Sequence, residues 1–316
     1  MSGVIGKLLF GGGPIKEYIT VTIEDEIKEK VYIVINNTII DVSQNHWLLC
    51  LEPAVFGVWV TDQINLPATA WKEGCKMYFT DSAKSSCKEI IKSSIADLTL
   101  GFFGNIDEKD GTLILLKLLK STVNHINPLK TRILYSRYYK RDKFSFFNLK
   151  SFASAYSYPR KVRVISFKQN DYYNIFPMDL VGDISVNGRY VFGLRHTNVA
   201  LSKIIETKKI VVSEFSYKYK DVIYQLGSHH SFGPPALDKL PFKIIESRNF
   251  GFYMPEWIDS YKEINIVKTI NLGSHMLLWG EILDECIINN PSKNLYHIHY
   301  LLYLYQKSKK ILYPAV

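Results

Sequence analysis

Four consecutive residues, Arg195-His196-Thr197-Asn198, stand between a strand-like run from Arg189 to Leu194 and a helix-like run from Asn198 to Thr207. A cation beside hydroxyl and amide side chains at a helix entrance suits a phosphate. The free N–H groups of the first turn point outward, the dipole favours negative charge, and a guanidinium grips two oxygens. The same residues also fit a surface arginine followed by an ordinary helix cap. Further candidates lie on either side: Phe176-Pro177-Met178-Asp179 upstream, and Gly273-Ser274-His275 opening an apolar run downstream. His297 and His299 alternate along a strand-like stretch and share a face, but a third ligand for a metal is not evident. His229 and His230 fall in Gly227–Pro235, a stretch with the composition of an exposed loop. Cys50, Cys75, Cys87 and Cys286 form no C-x-x-C pair and read as free thiols.

The elements that must position these residues are mostly strands. In the first half, Tyr18–Ile23 alternates. Val31–Ile35 and Ile39–Val42 flank a turn at Asn36-Asn37-Thr38, and Trp47–Leu51 and Val55–Val60 flank Pro53. A helix through Cys87, Ile90 and Ile91, capped by Asp81 or Ser82, follows, and Asp110-Gly111 marks a tight turn. In the second half, strands at 161–167, 189–194, 209–215, 242–246, 264–270 and 276–288 surround the one helix that ends at Thr207. Many short strands with a single helix favour a β-barrel with a helix attached over a doubly wound sheet.

Ten Lys and Arg residues between Lys130 and Arg163 face one acid, Asp142, so this segment accounts for the whole net charge of +9. Its interleaved aromatics would suit single-stranded nucleic acid. They suit equally a basic rim that steers small phosphorylated ligands or a connector whose rings belong to a core. Nucleic acid is the least favoured of the three. No window holds the ~20 apolar residues that span a bilayer, and the opening MSGVIGKLLFGGGPIK is too broken for a secretory signal. A cytoplasmic protein is expected.

Three segments of the second half occur in a telling order: Ile175-Phe176-Pro177-Met178-Asp179-Leu180, then Arg195-His196-Thr197-Asn198, then Gly273-Ser274-His275 running on to Gly280-Glu281-Ile282. With Tyr158-Pro159-Arg160-Lys161-Val162 before them and Tyr296–Tyr313 after them, residues 155–316 resemble the flavin reductase-like family of FMN-binding split barrels. Ser274 stands where that family usually carries Asp, and Met276 where it carries Thr. The resemblance implies a mainly β, split-barrel domain at 151–316. It implies FMN (or FAD) as cofactor and NAD(P)H as reductant. Arg195, His196, Thr197 and Asn198 would lie at the phosphate; Phe176, Pro177, Met178, Asp179, Gly273 and Ser274 would border the flavin. His275 would lie near the ring edge as the catalytic residue. Residues 1–150 are expected to be an accessory β-rich domain or a degenerate second barrel. The assembly is then a homodimer or an internal pseudo-dimer. The expected function is hydride transfer from NAD(P)H to flavin, with an FMN-binding electron carrier lacking reductase turnover as the alternative.

Overall fold

A computed structural model describes residues 18–24, 26–61, 68–139, 145–290 and 293–316. Lys140, Arg141, Asp142, Lys143 and Phe144 of the basic segment, and the opening residues 1–17, lie outside the described residues. Nineteen strands are described, numbered in chain order. β1 is Tyr18–Ile23. The first large sheet holds β2 (Lys30–Ile35), β3 (Thr38–Asp41), β4 (His46–Leu51), β5 (Ala54–Val60), β6 (Cys75–Thr80), β7 (Ser94–Glu108) and β8 (Gly111–Val123). β9 is Arg160–Lys161. The second large sheet holds β10 (Arg163–Gln169), β11 (Tyr172–Met178), β12 (Val181–Ile184), β13 (Arg189–Arg195), β14 (Lys209–Phe215), β17 (Ile258–Asn271) and β18 (His275–Ile287). β15 (Ile244–Glu246) and β16 (Tyr253–Pro255) form a hairpin, and β19 is Asn294–His299.

The two seven-stranded sheets repeat one topology. The first runs β3-β2-β6-β7-β8-β5-β4 and the second β11-β10-β14-β17-β18-β13-β12. Matching β2 with β10, β3 with β11 and so on through β8 with β18 makes the orders identical. A helix at Ala68–Lys72 also precedes β6 as Leu201–Thr207 precedes β14. β1, β19 and β9 form a third, small sheet that joins the two ends of the chain.

Large apolar side chains close the contact between the sheets. Leu49, Cys50, Val55, Trp59, Leu113 and Leu115 pack with Ile184, Val191, Leu272, Leu277 and Trp279 in one buried cluster. The Trp59 and Trp279 rings stack with centroids 6.0 Å apart. Glycine decides how near the sheets come: a Cβ on Gly182 would stand 2.5 Å from the Trp47 ring. The contacts are reciprocal. The β17–β18 tip rests on the β4–β5 turn, where Ser274 N donates to Glu52 O (2.8 Å) and Glu52 N donates to Ser274 Oγ (3.1 Å). The end of β7 reaches the start of β13, where Arg189 Nη2 donates to Glu108 Oε2 (3.0 Å). Such exchange is what a two-fold relation between like units requires.

Several local expectations are corrected. The helix expected from Asn198 begins at Leu201, because the Asn198 side chain accepts from Ala200 N (2.8 Å) and holds a turn. The cap of the helix Cys87–Ser93 is Ser86, which accepts from Glu89 N, and not Asp81 or Ser82. The stretch expected as an exposed loop carries a short helix at His229–Phe232, following another at Lys220–Leu226. The second half therefore has several helices, including Tyr300–Lys309 after β19. Phe152, Tyr156 and Tyr158 of the basic segment are buried core residues.

Candidate functional site

The ends of β11 and β13 converge on the start of β18. Arg195 pairs directly with His275 in the β13–β18 register. Gly193 N donates to Leu180 O (2.8 Å), which ties the segment after β11 to the end of β13. β11 is an edge strand of its sheet, so Pro177 costs no ladder bond and alternate backbone groups face away from β10. Phe176, Pro177, Met178, Asp179, Arg195 and His275 thereby line a cleft of about 400 Å³. Part of the wall comes from afar: Leu51 at the end of β4, Tyr18 on β1, and Phe152 and Tyr156 on and just after the helix Phe146–Ala155.

Most of the other residues singled out in the sequence sit around this cleft without lining it. His196 and Thr197 are exposed, and His196 Nε2 lies 3.3 Å from Asn271 Oδ1. Asn198 is 4% exposed, and its oxygen is committed to Ala200 N. Gly273, at φ +121°, lies against Glu52 and Pro53, where a Cβ would stand 2.6 Å from Pro53 Cδ. Of the two loop histidines, His230 lines the cleft and meets Phe176 edge-to-face. His229 is buried with Nδ1 2.9 Å from Ile175 O. No group of three His, Cys, Asp or Glu suited to a metal occurs among the described residues.

Hydrogen bonds hold one side of His275. The Ser274 hydroxyl accepts from Glu52 N and lies 2.8 Å from His275 Nδ1. The Cys50 thiol, which donates to Leu272 O at 3.7 Å, lies 3.5 Å from the same nitrogen. The Cys50 sulfur also lies 3.5 Å from the Ser274 hydroxyl, so Nδ1, Oγ and Sγ form one hydrogen-bonded cluster. Burial, then the charge of Arg195 and the neighbouring histidines, pushes His275 down to about 3. The ring is neutral. His230 is lowered too, by burial and then by Arg195.

Asp179 is the acidic counterpart. Burial alone would raise its carboxyl, yet hydrogen bonds from His297 Nδ1 (2.8 Å) and Tyr156 OH (3.0 Å), with the charge of Arg160, hold it below the usual range. Tyr18 stacks on His297 at 4.8 Å. His297, considered above as a possible metal ligand, instead braces the segment after β11. His299 caps the helix Tyr300–Lys309 by accepting from Leu301 N (3.0 Å). The signals for Tyr18, Leu51, Phe152 and Tyr156 were absent from any local motif, since another part of the chain supplies each of them.

Neither a family model nor a curated protein matches the sequence. Solved structures do resemble part of the chain. An FMN-binding protein from Thermus thermophilus with bound p-hydroxybenzaldehyde is 16% identical, covering 44% of this chain and 81% of its own, with a TM-score of 0.39. BorF, the flavin reductase component of a bacterial two-component tryptophan halogenase, is 13% identical over 46% of this chain and 89% of its own, with a TM-score of 0.41. The flavin reductase PheA2 is 16% identical over 46% and 94%, with a TM-score of 0.38.

Proposed function

We propose that the cleft between β11, β13 and β18 seats FMN and that the chain is a flavin reductase-like oxidoreductase using NAD(P)H. The observation that carries this reading is the pairing of Arg195 with His275 at the mouth of a cleft edged by the unpaired backbone of β11. The volume of about 400 Å³ falls in the range of cofactor pockets, roughly 300–1,000 Å³. The donor set fits a flavin phosphate: Arg195 is an exposed cation on the cleft wall, with His196 and Thr197 directly after it. The outward backbone of the β11 edge, such as Pro177 C=O, is placed to meet the polar edge of the ring, and Phe176 and Met178 supply apolar surface.

When bound, flavin supplies the acceptor of a hydride from nicotinamide, which demands little acid–base chemistry of the protein. The chain's own residues bind and orient. Neutral His275 lines the site without adding a charge, and Asp179, fixed by His297 and Tyr156, holds the segment at the ring edge. Phe152, Tyr156 and Tyr18 exclude water from the far wall.

The first half takes the place of a partner subunit in this reading. Its repeated strand order, its reciprocal contacts and Leu51 in the cleft support an internal pseudo-dimer. At the corner of the first sheet equivalent to Arg195 and His275 stand Val60 and Thr112, a register pair with neither cation nor imidazole. One flavin per chain is expected. An electron-carrying flavoprotein without nicotinamide turnover is the second reading. It is favoured by His275 being only 1% exposed. Incubation with FMN and NAD(P)H separates the two: NAD(P)H oxidation supports the reductase, and FMN uptake without oxidation supports the carrier.

A further inference from the structure

A second cleft, of about 240 Å³, lies across Asp179 from the first. Ser43, Gln44, His46 and Trp47, leading into and opening β4, form one wall, and Val181 and Asp183 of β12 the other. β4 and β12 are equivalent strands of the two sheets, so the cleft lies where the repeat meets itself. A symmetric pair would line such a place twice with the same residues. Here the two sides differ, and the second side brings Arg160, Lys161 and Arg163.

Arg160 is the unusual member. It is 5% exposed, and among the described residues no carboxylate comes within ion-pair distance. Its Nε and Nη2 both donate to Ala155 O (3.2 and 2.9 Å), at the end of the helix Phe146–Ala155. The Phe56 and Tyr158 rings lie 5.8 and 5.6 Å from its guanidinium carbon. A helix end and two ring faces offset part of the burial cost. They leave the guanidinium without an ion pair: the buried Asp179 carboxylate acts on it from beyond contact distance but does not outweigh burial, which brings Arg160 down to about 10.

Its charged neighbours already make ion pairs, although Arg163 Nη1 is buried without a hydrogen-bond partner among the described residues. Lys161 and Arg163 share Glu214 (3.0 and 2.8 Å), Lys262 pairs with Asp183 (2.9 Å), and Asp179 is held by His297. His46 is neutral, lowered by burial and then by Arg160. Arg160 is the one cation lining the cleft that makes no ion pair among the described residues, and Trp47, Tyr158, Tyr190 and Tyr296 provide flat apolar wall beside it.

We propose that this second cleft binds a small organic carboxylate, whose single negative charge meets Arg160 while its body lies against the aromatic wall. A monoanion supplies the ion pair that Arg160 lacks. The proposal does not depend on flavin occupying the first cleft.

The test titrates the full chain with benzoate, and with benzamide as its uncharged counterpart, at low ionic strength. Benzoate is expected to bind and to raise the melting temperature, and benzamide to do neither. Arg160→Gln should weaken benzoate at least tenfold, and Arg195→Ala should leave it unchanged. Absence of benzoate binding, equal binding in R160Q, or its loss in R195A would overturn the proposal. Crystals of the unaltered protein soaked in bromide give an answer even if R160Q does not fold. An anomalous peak beside Arg160 is expected, and its absence there contradicts the assignment.

Discussion

Gly193 of β13 lies so close to Leu49 of β4 that a Cβ added to it would stand 1.7 Å from the Leu49 carbonyl oxygen. The neighbour is backbone, so it cannot swing aside. Gly193→Ala should therefore force the two sheets apart and cost roughly 3 kcal/mol. A shifted denaturant midpoint would register this. A variant as stable as the parent would mean that the sheets do not meet as described.

Arg195→Ala should weaken FMN binding by about 1.5–3 kcal/mol, the worth of a charge-assisted contact, read by fluorescence titration. Unchanged affinity removes Arg195 from the phosphate.

Ser274→Ala removes the hydroxyl partner of His275 Nδ1 and loosens the hold on the ring. Flavin should still bind. NAD(P)H oxidation should fall about tenfold, the equivalent of one hydrogen bond of about 1.4 kcal/mol. A full rate in the variant would show that this hold does not matter.

Acid should destabilise the fold in two overlapping windows. Burial, with the neighbouring His125 charge, pushes His299 to about 3, and burial pushes His125 to about 4. Both folded values lie below the unfolded value near 6.5. The unfolded chain thus takes up protons first, and stability present above pH ~6.5 is lost as pH falls toward those values. Burial would raise Glu214, but Arg163 and Lys161 bring it down to about 2. Its contribution is present above its ordinary value near 4.5 and is lost between there and about 2. The melting temperature should fall steadily below pH ~6.5. The fall should flatten in a His125→Asn/His299→Asn double variant. An unchanged slope would show that these histidines are not the titrating groups.

Much of the strand pattern was legible because local turn chemistry marks it. Asn36 and Asn37 take positive φ (47° and 64°) between β2 and β3, as an Asn-Asn turn allows, and Gly111 closes the β7–β8 hairpin after Asp110. The helix expected at Asn198 was misplaced because a short amide side chain can cap a turn as well as a helix. His229 was hidden for another reason. The stretch around it has loop composition, but His229 Nδ1 meets Ile175 O and buries the ring. Arg195 and His275 could be found from their own neighbours along the chain. Tyr18 and Leu51 could not, because they reach the cleft only through the docking of one sheet on the other.

The most direct test is to purify the protein, add FMN, remove the excess and count the flavin retained. One FMN per chain, with a yellow spectrum that Arg195→Ala diminishes, is expected. Colourless protein that takes up no FMN, or two flavins per chain, would contradict a single site at the junction of β11, β13 and β18.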